Sequence, residues 1–357
     1  KNRKMILEII KSLNKLIEIE SKDYNNNIPD EENTKRKKTS PYIGIRNLGT
    51  LCYIGSILQQ LFWIPKFRNS ILSIDDLKPI DKSYKLTDDD NTLHQTQKLF
   101  TYMLFSSYGE IVPKNFIFSI QFFGERINVR QMLDSSEFYH NYCDIIQTSL
   151  ENTKYKNLIE DIFVGKTKEK KTCSECGNIT YKEEEFKEIS LEVKDIKDIY
   201  ESLDKYISEE IIDDYKCDKC NNKVKLKKTT VISSLPNILV VHLKRMTYNN
   251  NGELEKINNK FNFPFNDLNL KKYCLSLNNK ENYYKYNLKG INIHKGNAEG
   301  GHYVSLIKVS QEKNKWYLFD DSFVSEYNIE NFEEEFNKNE KDNSAYILFY
   351  ESIQEKK

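Results

Sequence analysis

Three groups of residues in this chain have types and spacing that chemistry can use. The first is Cys52, which follows the glycine-containing segment Gly44-Ile-Arg-Asn-Leu-Gly49-Thr-Leu and opens a stretch with apolar residues at Ile54, Ile57, Leu58, Leu61 and Phe62. That stripe is helical, and a thiol at a helix start meets backbone N–H groups and the positive end of the helix dipole, which favour a reactive thiolate. A buried, inert cysteine fits the same position. The second group is Gly300-Gly301-His302-Tyr303, followed by Trp316-Tyr-Leu-Phe-Asp320-Asp321. The glycines leave the imidazole accessible, and a carboxylate on the following strand can accept its other N–H and set its tautomer. Taken alone, His302 suits an ordinary loop or core histidine and the aspartates suit a turn; taken with Cys52 they form a possible Cys, His, Asp constellation. The third group is Cys173-Ser-Glu-Cys176 and Cys217-Asp-Lys-Cys220, with 40 residues between the pairs. Two-residue spacing lets both sulfurs of a pair reach one ion, and two pairs complete a four-thiolate tetrahedron, so a closed, structural zinc site is expected. A redox role is the alternative, and the lack of a βαβ context around either pair weighs against it.

Elements must bring these groups together. Residues 1–20 carry Ile6, Ile9, Ile10, Leu13, Leu16 and Ile17 at helical spacing, and 21–40 are polar and charged, so a helix and linker are expected ahead of a domain that starts near Pro41. The helix from Cys52 should stop near Pro65, 74–92 reads as loop, and helical patterns return near 93–106 and 134–151. After about 160 the segments YKEEEFKEISLEV, KVKLKKTTVISS, NILVVHLKRM, YNLKGINIHKG, GHYVSLIKV, KWYLFDD and AYILFYES are rich in β-branched and aromatic residues. Helices early and strands late predict an α+β fold with an antiparallel sheet.

The 357 residues hold 54 Lys plus Arg against 54 Asp plus Glu, which argues against nucleic-acid binding by bulk charge. The longest apolar stretch, 231–243, falls short of the ~18 residues of a membrane span. No apolar signal segment opens the chain, and its first residue is Lys, so an excerpt of a longer chain is expected. Seven cysteines, four of them in the two pairs, look more like ligands and a reactive thiol than a disulfide framework, which suggests a reducing, intracellular compartment, cytoplasmic or nuclear.

The cysteine segment, the paired Cys-x-x-Cys knuckles, and the Gly-Gly-His-Tyr and Trp-x-x-Phe-Asp-Asp elements resemble, in this order, the ubiquitin-specific protease family of cysteine deubiquitinases. The likeness spans roughly 41–351, and Gln59-Gln-Leu-Phe-Trp-Ile-Pro-Lys-Phe-Arg-Asn-Ser-Ile-Leu is similar to the very large multi-domain members. The resemblance implies a papain-like cysteine protease with a helical thumb (41–160), zinc-bearing fingers (161–230) and a β palm (231–351), then a tail (352–357). It implies that Cys52 attacks the carbonyl after ubiquitin's terminal glycine, that His302 moves the proton, that Asp320 orients the imidazole with Asp321 as a second carboxylate, and that Asn47 stabilises the oxyanion. Asn47 suits a cap of the turn equally well. Asp134 and Glu137, three apart on one helical face, match the family's acidic pair for the arginine-containing ubiquitin tail, though an N-cap aspartate on a solvated helix start fits too. His294 and Tyr303 match further groove positions, and both are also plausible strand residues. The implied partners are ubiquitin and ubiquitinated proteins; the implied cofactor is one structural Zn²⁺ at Cys173, Cys176, Cys217 and Cys220, with no catalytic cofactor. Cys143, Cys274, His94, His140 and His242 read as bystanders.

The chain departs from the family pattern at Leu51, where Thr is usual, at Gly55, where Asn is usual, and at Met132-Leu133, where a polar pair is usual. No triad position is lost. These departures leave as a rival a ubiquitin-binding domain with weak or absent catalysis; a second rival is a zinc-ribbon nucleic-acid or scaffold protein, against which the balanced charge argues.

Overall fold

The computed structural model describes residues 40–74, 91–122, 124–275, 281–310, 314–338 and 342–356. The helix and linker expected over 1–39, and most of the loop expected over 74–92, lie outside the described residues.

The N-terminal half is helical: α1 (Cys52–Phe62), α2 (Pro65–Leu72), α3 (Thr92–Phe105), α4 (Lys114–Ser119), α5 (Ser135–Leu150) and α6 (Leu158–Phe163). Helix α1 is buried on almost every side, including Ser56, Gln59 and Gln60, because it lies between the other helices and the main sheet. Gln59 tolerates this by donating its amide to the Ile43 carbonyl at 2.9 Å. Pro65 ends α1 less directly than expected. It occupies the first position of α2, where a proline needs no N–H and its fixed φ suits the helix. Helix α3 is capped by Asn91, whose side chain accepts the His94 N–H at 3.1 Å.

Most strand residues lie in two sheets; Gly44–Ile45 with Glu110–Ile111, Gln121–Phe122 with Glu125–Arg126, and Met246–Tyr248 with Leu254–Lys256 form three separate two-stranded ribbons. The smaller of the two sheets contains β1 (Gly165–Cys173), β2 (Ile179–Phe186), β4 (Glu210–Lys216) and β5 (Lys223–Ser234), all antiparallel, in the order β2-β1-β5-β4. The larger runs in the order Phe323–Tyr327 (β10), Lys315–Asp320 (β9), Gly301–Ser310 (β8), Lys285–Gly296 (β7), Ser344–Ser352 (β11), Ile238–Lys244 (β6) and Ile189–Glu192 (β3). It is antiparallel except where β6 meets β3. Its two faces carry separate cores: Tyr303, Tyr346 and Phe349 face the helices, whereas Val304, Leu306, Leu348 and Tyr350 face the second core with Leu203 of α7 (Ile199–Tyr206). Burial on both faces is why β6 and β11 read as continuous apolar runs.

Between the two hairpins of the smaller sheet, the chain returns to the main body. Strand β3 joins the large sheet and α7 covers it, so the region expected as one zinc-bearing segment over 161–230 is two hairpins with a piece of the main body between them. Residues 353–356, expected as a tail, pack back: Asn237 accepts the Lys356 N–H at 2.7 Å. Among the described residues no helix is long and apolar enough to cross a membrane.

Candidate active site

The site forms where α1 meets β8. Cys52 is the first residue of α1 and is 3% exposed. Leu51, at the N-cap, offers no side-chain acceptor; Asn47 does that work from four residues upstream, its Oδ1 taking the Leu51 N–H at 3.0 Å and the Gly49 N–H at 3.1 Å. The Asn47 amide donates on its other side to Asp321 Oδ2 at 3.2 Å. Asn47 is therefore the clasp of the turn that delivers Cys52, and it retains a second amide proton.

Strand β8 brings His302 to the thiol. Its Nε2 lies 2.7 Å from Asp320 Oδ1 at the end of β9 and 3.8 Å from Asp321 Oδ2. With Nε2 engaged, Nδ1 is the ring nitrogen left for sulfur. The imidazole is raised to about 10, first by the hydrogen bond to Asp320 and second by its interaction with Cys52, against the opposing effect of burial. Asp320 is held down at about 2, chiefly by the bond from His302, and Lys295 supports it through an Nζ to Oδ2 contact of 2.9 Å. Asp321 behaves differently: burial pushes its carboxyl up, and its backbone is left-handed at φ 51°, as the turn into β10 requires. A cavity of about 10 Å³, room for roughly one water, lies beside Asp321 against Gly55, Ser56 and Gln59.

A second acidic group stands nearby. Asp134 caps α5, accepting the Ser136 N–H at 2.7 Å and the Glu137 N–H at 3.3 Å. Its other oxygen accepts from the Tyr303 hydroxyl at 3.4 Å and from the Tyr346 hydroxyl. Glu137 is exposed, and its carboxyl is raised by burial first and Asp134 second. His294 is 1% exposed, with its ring 4.8 Å from that of Tyr303. Burial, then the charges of Lys256 and His302, drive it down to about 3, so it is neutral. The structure thus places Asp134 and Tyr303 together, Glu137 beside them at the surface, and His294 beneath.

The four paired cysteines converge at the tips of the two hairpins, all four sulfurs lying within 4.8 Å of one another. Cys173 Sγ is 4.0 Å from Cys220 Sγ, and Cys176 Sγ is 3.8 Å from Cys217 Sγ. A tetrahedral site with Zn–S of about 2.3 Å has edges of about 3.8 Å, so these two separations are close to those of a four-thiolate metal site. Gly177 at φ 63° and Asn221 at φ 58° turn each knuckle back into its second strand.

Three residues of these sites carry no signal in the sequence. Lys295 and Tyr346 reach Asp320 and Asp134 only through strand pairing, and Glu188, in the short link between β2 and β3, accepts the Ser136 hydroxyl at 2.9 Å. Burial would raise Glu188, but hydrogen bonds from His140 and His242 hold it at about 2. These two histidines, read as bystanders, thus brace the loop against α5.

Comparison with known proteins gives the family. The family model described as ubiquitin carboxyl-terminal hydrolase matches residues 43–350. Similar proteins include ubiquitin carboxyl-terminal hydrolase 9X of Mus musculus, 27% identical over 361 residues that cover 82% of this chain and 14% of that protein. Ubiquitin carboxyl-terminal hydrolase 24 of Homo sapiens is 28% identical over 325 residues, covering 82% of this chain and 12% of that protein. Ubiquitin carboxyl-terminal hydrolase 34 of Homo sapiens is 28% identical over 358 residues, covering 88% and 10%. The chain therefore spans a small part of the length of these relatives, and a match over residues 43–350, which takes in Asn47, Cys52, His302, Asp320 and most of β11, makes it a member of the ubiquitin carboxyl-terminal hydrolase family.

Proposed function

We propose that this chain is the catalytic domain of a thiol-dependent deubiquitinase, hydrolysing the peptide or isopeptide bond after the C-terminal glycine of ubiquitin, and that its work lies inside cells. The observation that carries the reading is the His302 imidazole held between the Asp320 carboxylate and the Cys52 thiol. In this reading the helices up to α6 are the thumb, the smaller sheet forms zinc-ribbon fingers, and the large sheet is the palm of a papain-like protease.

Cys52 sulfur attacks the glycine carbonyl carbon, and the charge passes to the carbonyl oxygen. The Cys52 N–H, at a helix start where no intrahelical acceptor exists, and the second amide proton of Asn47 stabilise that oxyanion. The raised imidazole carries the thiol's proton as imidazolium and gives it to the departing amine, forming an acyl thioester. His302, now neutral, takes a proton from water, which attacks the thioester and returns the thiol. Asp320 holds the ring tautomer throughout, and Asp321 fixes the Asn47 amide. Asp134 and Glu137 offer negative charge to the basic ubiquitin tail, Tyr303 walls the same groove, and His294 supports it from beneath as a neutral ring. Zinc, bound by Cys173, Cys176, Cys217 and Cys220, would supply only structure there, because four thiolates leave no open position.

The test is hydrolysis of a ubiquitin C-terminal amide reporter and covalent capture by a ubiquitin propargyl probe, each with wild type and Cys52→Ala. Turnover and capture that both vanish in Cys52→Ala are expected. Ubiquitin binding without capture in the wild type would instead establish a binding domain, the reading to which Leu51, Gly55, Met132 and Leu133 point.

A further inference from the structure

A buried cation stands behind the base and plays no part in the steps above. Lys256 ends the short strand Leu254–Lys256 and is 8% exposed. Its ammonium donates to three backbone carbonyls: His294 at 3.0 Å, Gly296 at 2.8 Å, and Asp342. The first two lie on β7 and the third precedes β11, so one side chain binds three stretches of chain. The Asp342 carbonyl also accepts the Gly296 N–H at 3.0 Å.

This junction governs where the imidazole sits. Gly296 pairs with Gly301, and Lys295 pairs with His302, so the reversal that Lys256 grips is the one that delivers the base to the thiol. There is no slack on the far side. A Cβ at Gly301 would fall 2.4 Å from both His294 Nε2 and the Lys295 carbonyl. Moving the 296–301 turn therefore moves His302.

Lys256 is the cation that meets all three of these carbonyls. Its neighbour Arg245 is spent elsewhere, on the carbonyls of Ala345 at 2.7 Å, Ile257 at 2.8 Å and Asn259 at 3.1 Å. Of the other groups facing the ammonium, His294 is neutral, and the Asp342 carboxylate takes the Asn258 amide at 3.3 Å. Burial first and Arg245 second bring Lys256 down to about 8, so at neutral pH it remains charged and all three N–H donors are present.

We infer that Lys256 is a positioning residue for His302, fixing the β7 to β8 turn so that the imidazole meets Cys52 in register. Misplacement of a catalytic group by about 1 Å can cost about 100-fold in rate. The inference rests on Cys52 being the nucleophile that His302 serves, but not on ubiquitin being the substrate.

The experiment measures iodoacetamide alkylation of Cys52, read by mass spectrometry of its peptide, at about pH 6 and about pH 9.5. A thiol beside an imidazolium reacts at the lower pH, whereas an isolated one waits for its own ionisation. Lys256→Met is expected to lower the ratio of the two rates at least about tenfold, with the rate at the higher pH unchanged, and to lower kcat on the ubiquitin amide reporter with KM within about twofold. Lys256→Gln, which keeps two donors without charge, is measured alongside and decides by the same ratio if Lys256→Met does not fold. A folded variant with the wild-type ratio overturns the inference. Wild type that fails to cleave the ubiquitin reporter, while its alkylation ratio still depends on Lys256, overturns the deubiquitinase reading and leaves this one standing.

Discussion

His302 and Asp320 lean on each other in opposite directions, the base raised to about 10 and the acid held at about 2. The sign of the stability effect follows. What a raised imidazole adds is complete below its ordinary value of about 6.5 and is lost as pH rises through about 10; what a lowered carboxylate adds is complete above about 4 and is lost as pH falls through about 2. The pair is therefore fully effective between about pH 4 and 6.5 and weakens on the alkaline side. Both groups are about one third exposed, so solvent screening reduces the effect. Asp320→Asn should flatten the fall in melting temperature between pH 6 and pH 10 relative to wild type; parallel curves would mean that the pair adds nothing. The proposed function adds an oxyanion role to the turn contacts of Asn47, and a substitution separates the two. Asn47→Ala should lower kcat by about 100- to 1,000-fold through the lost donor. It should also cost about 1 kcal/mol of stability through the lost cap. Reporter kinetics and a chemical melt read these independently. A stability loss with kcat intact would leave Asn47 as a cap alone.

The smaller sheet is built almost without apolar packing. Strand β2 is exposed nearly throughout, and the buried residues at its far end are Cys173, Cys217 and Val224. Cross-strand charges take over: Lys228 reaches Glu169 at 3.1 Å and Glu210 at 3.5 Å, contacts worth only tenths of a kcal/mol each in water. A metal ion bound by the four thiols would hold the two hairpin tips together. Cys173→Ser, or chelation, should lower the melting temperature and release the hairpins to proteolysis, with Cys52 alkylation at about pH 6 retained. Chelated protein that melts as before would remove the metal from the fold. The same chemistry explains what the sequence hides. The β5, β6 and β11 runs announce themselves through β-branched and aromatic residues, but Gly165-Lys-Thr-Lys-Glu-Lys-Lys-Thr-Cys173 and Glu210-Ile-Ile-Asp-Asp-Tyr-Lys216 carry no such run, because most of their residues are exposed or half-buried. Cys52, His302 and the aspartates are legible because glycine turns and fixed spacing mark them. Lys295, Tyr346 and Lys256 are not, because their partners are set by strand register and side-chain reach across the fold.

At the scale of the molecule, the large sheet is a partition with a core on each side. Leu348 lies at its centre in β11, fully buried, pairing with Val241 on one side and Ile291 on the other. Leu348→Ala should cost about 2–5 kcal/mol and show itself as a shifted urea midpoint for the whole large sheet in one step. A smaller loss, confined to one core, would mean that the two halves unfold separately. The helices and both cores depend on this partition, although most of its strands come late in the chain.

That order has a consequence for synthesis. Of the strands in the large sheet, β11 is the last made, yet it sits between β7 and β6 in the interior. As a ribosome releases the polypeptide from its amino end, the thiol, the imidazole and both aspartates emerge while the slot between β7 and β6 still stands open. A growing chain therefore carries Cys52, His302 and both aspartates before it possesses the completed sheet on which His302 and Asp320 sit, and the proposed activity would arrive only when the closing segment slides home.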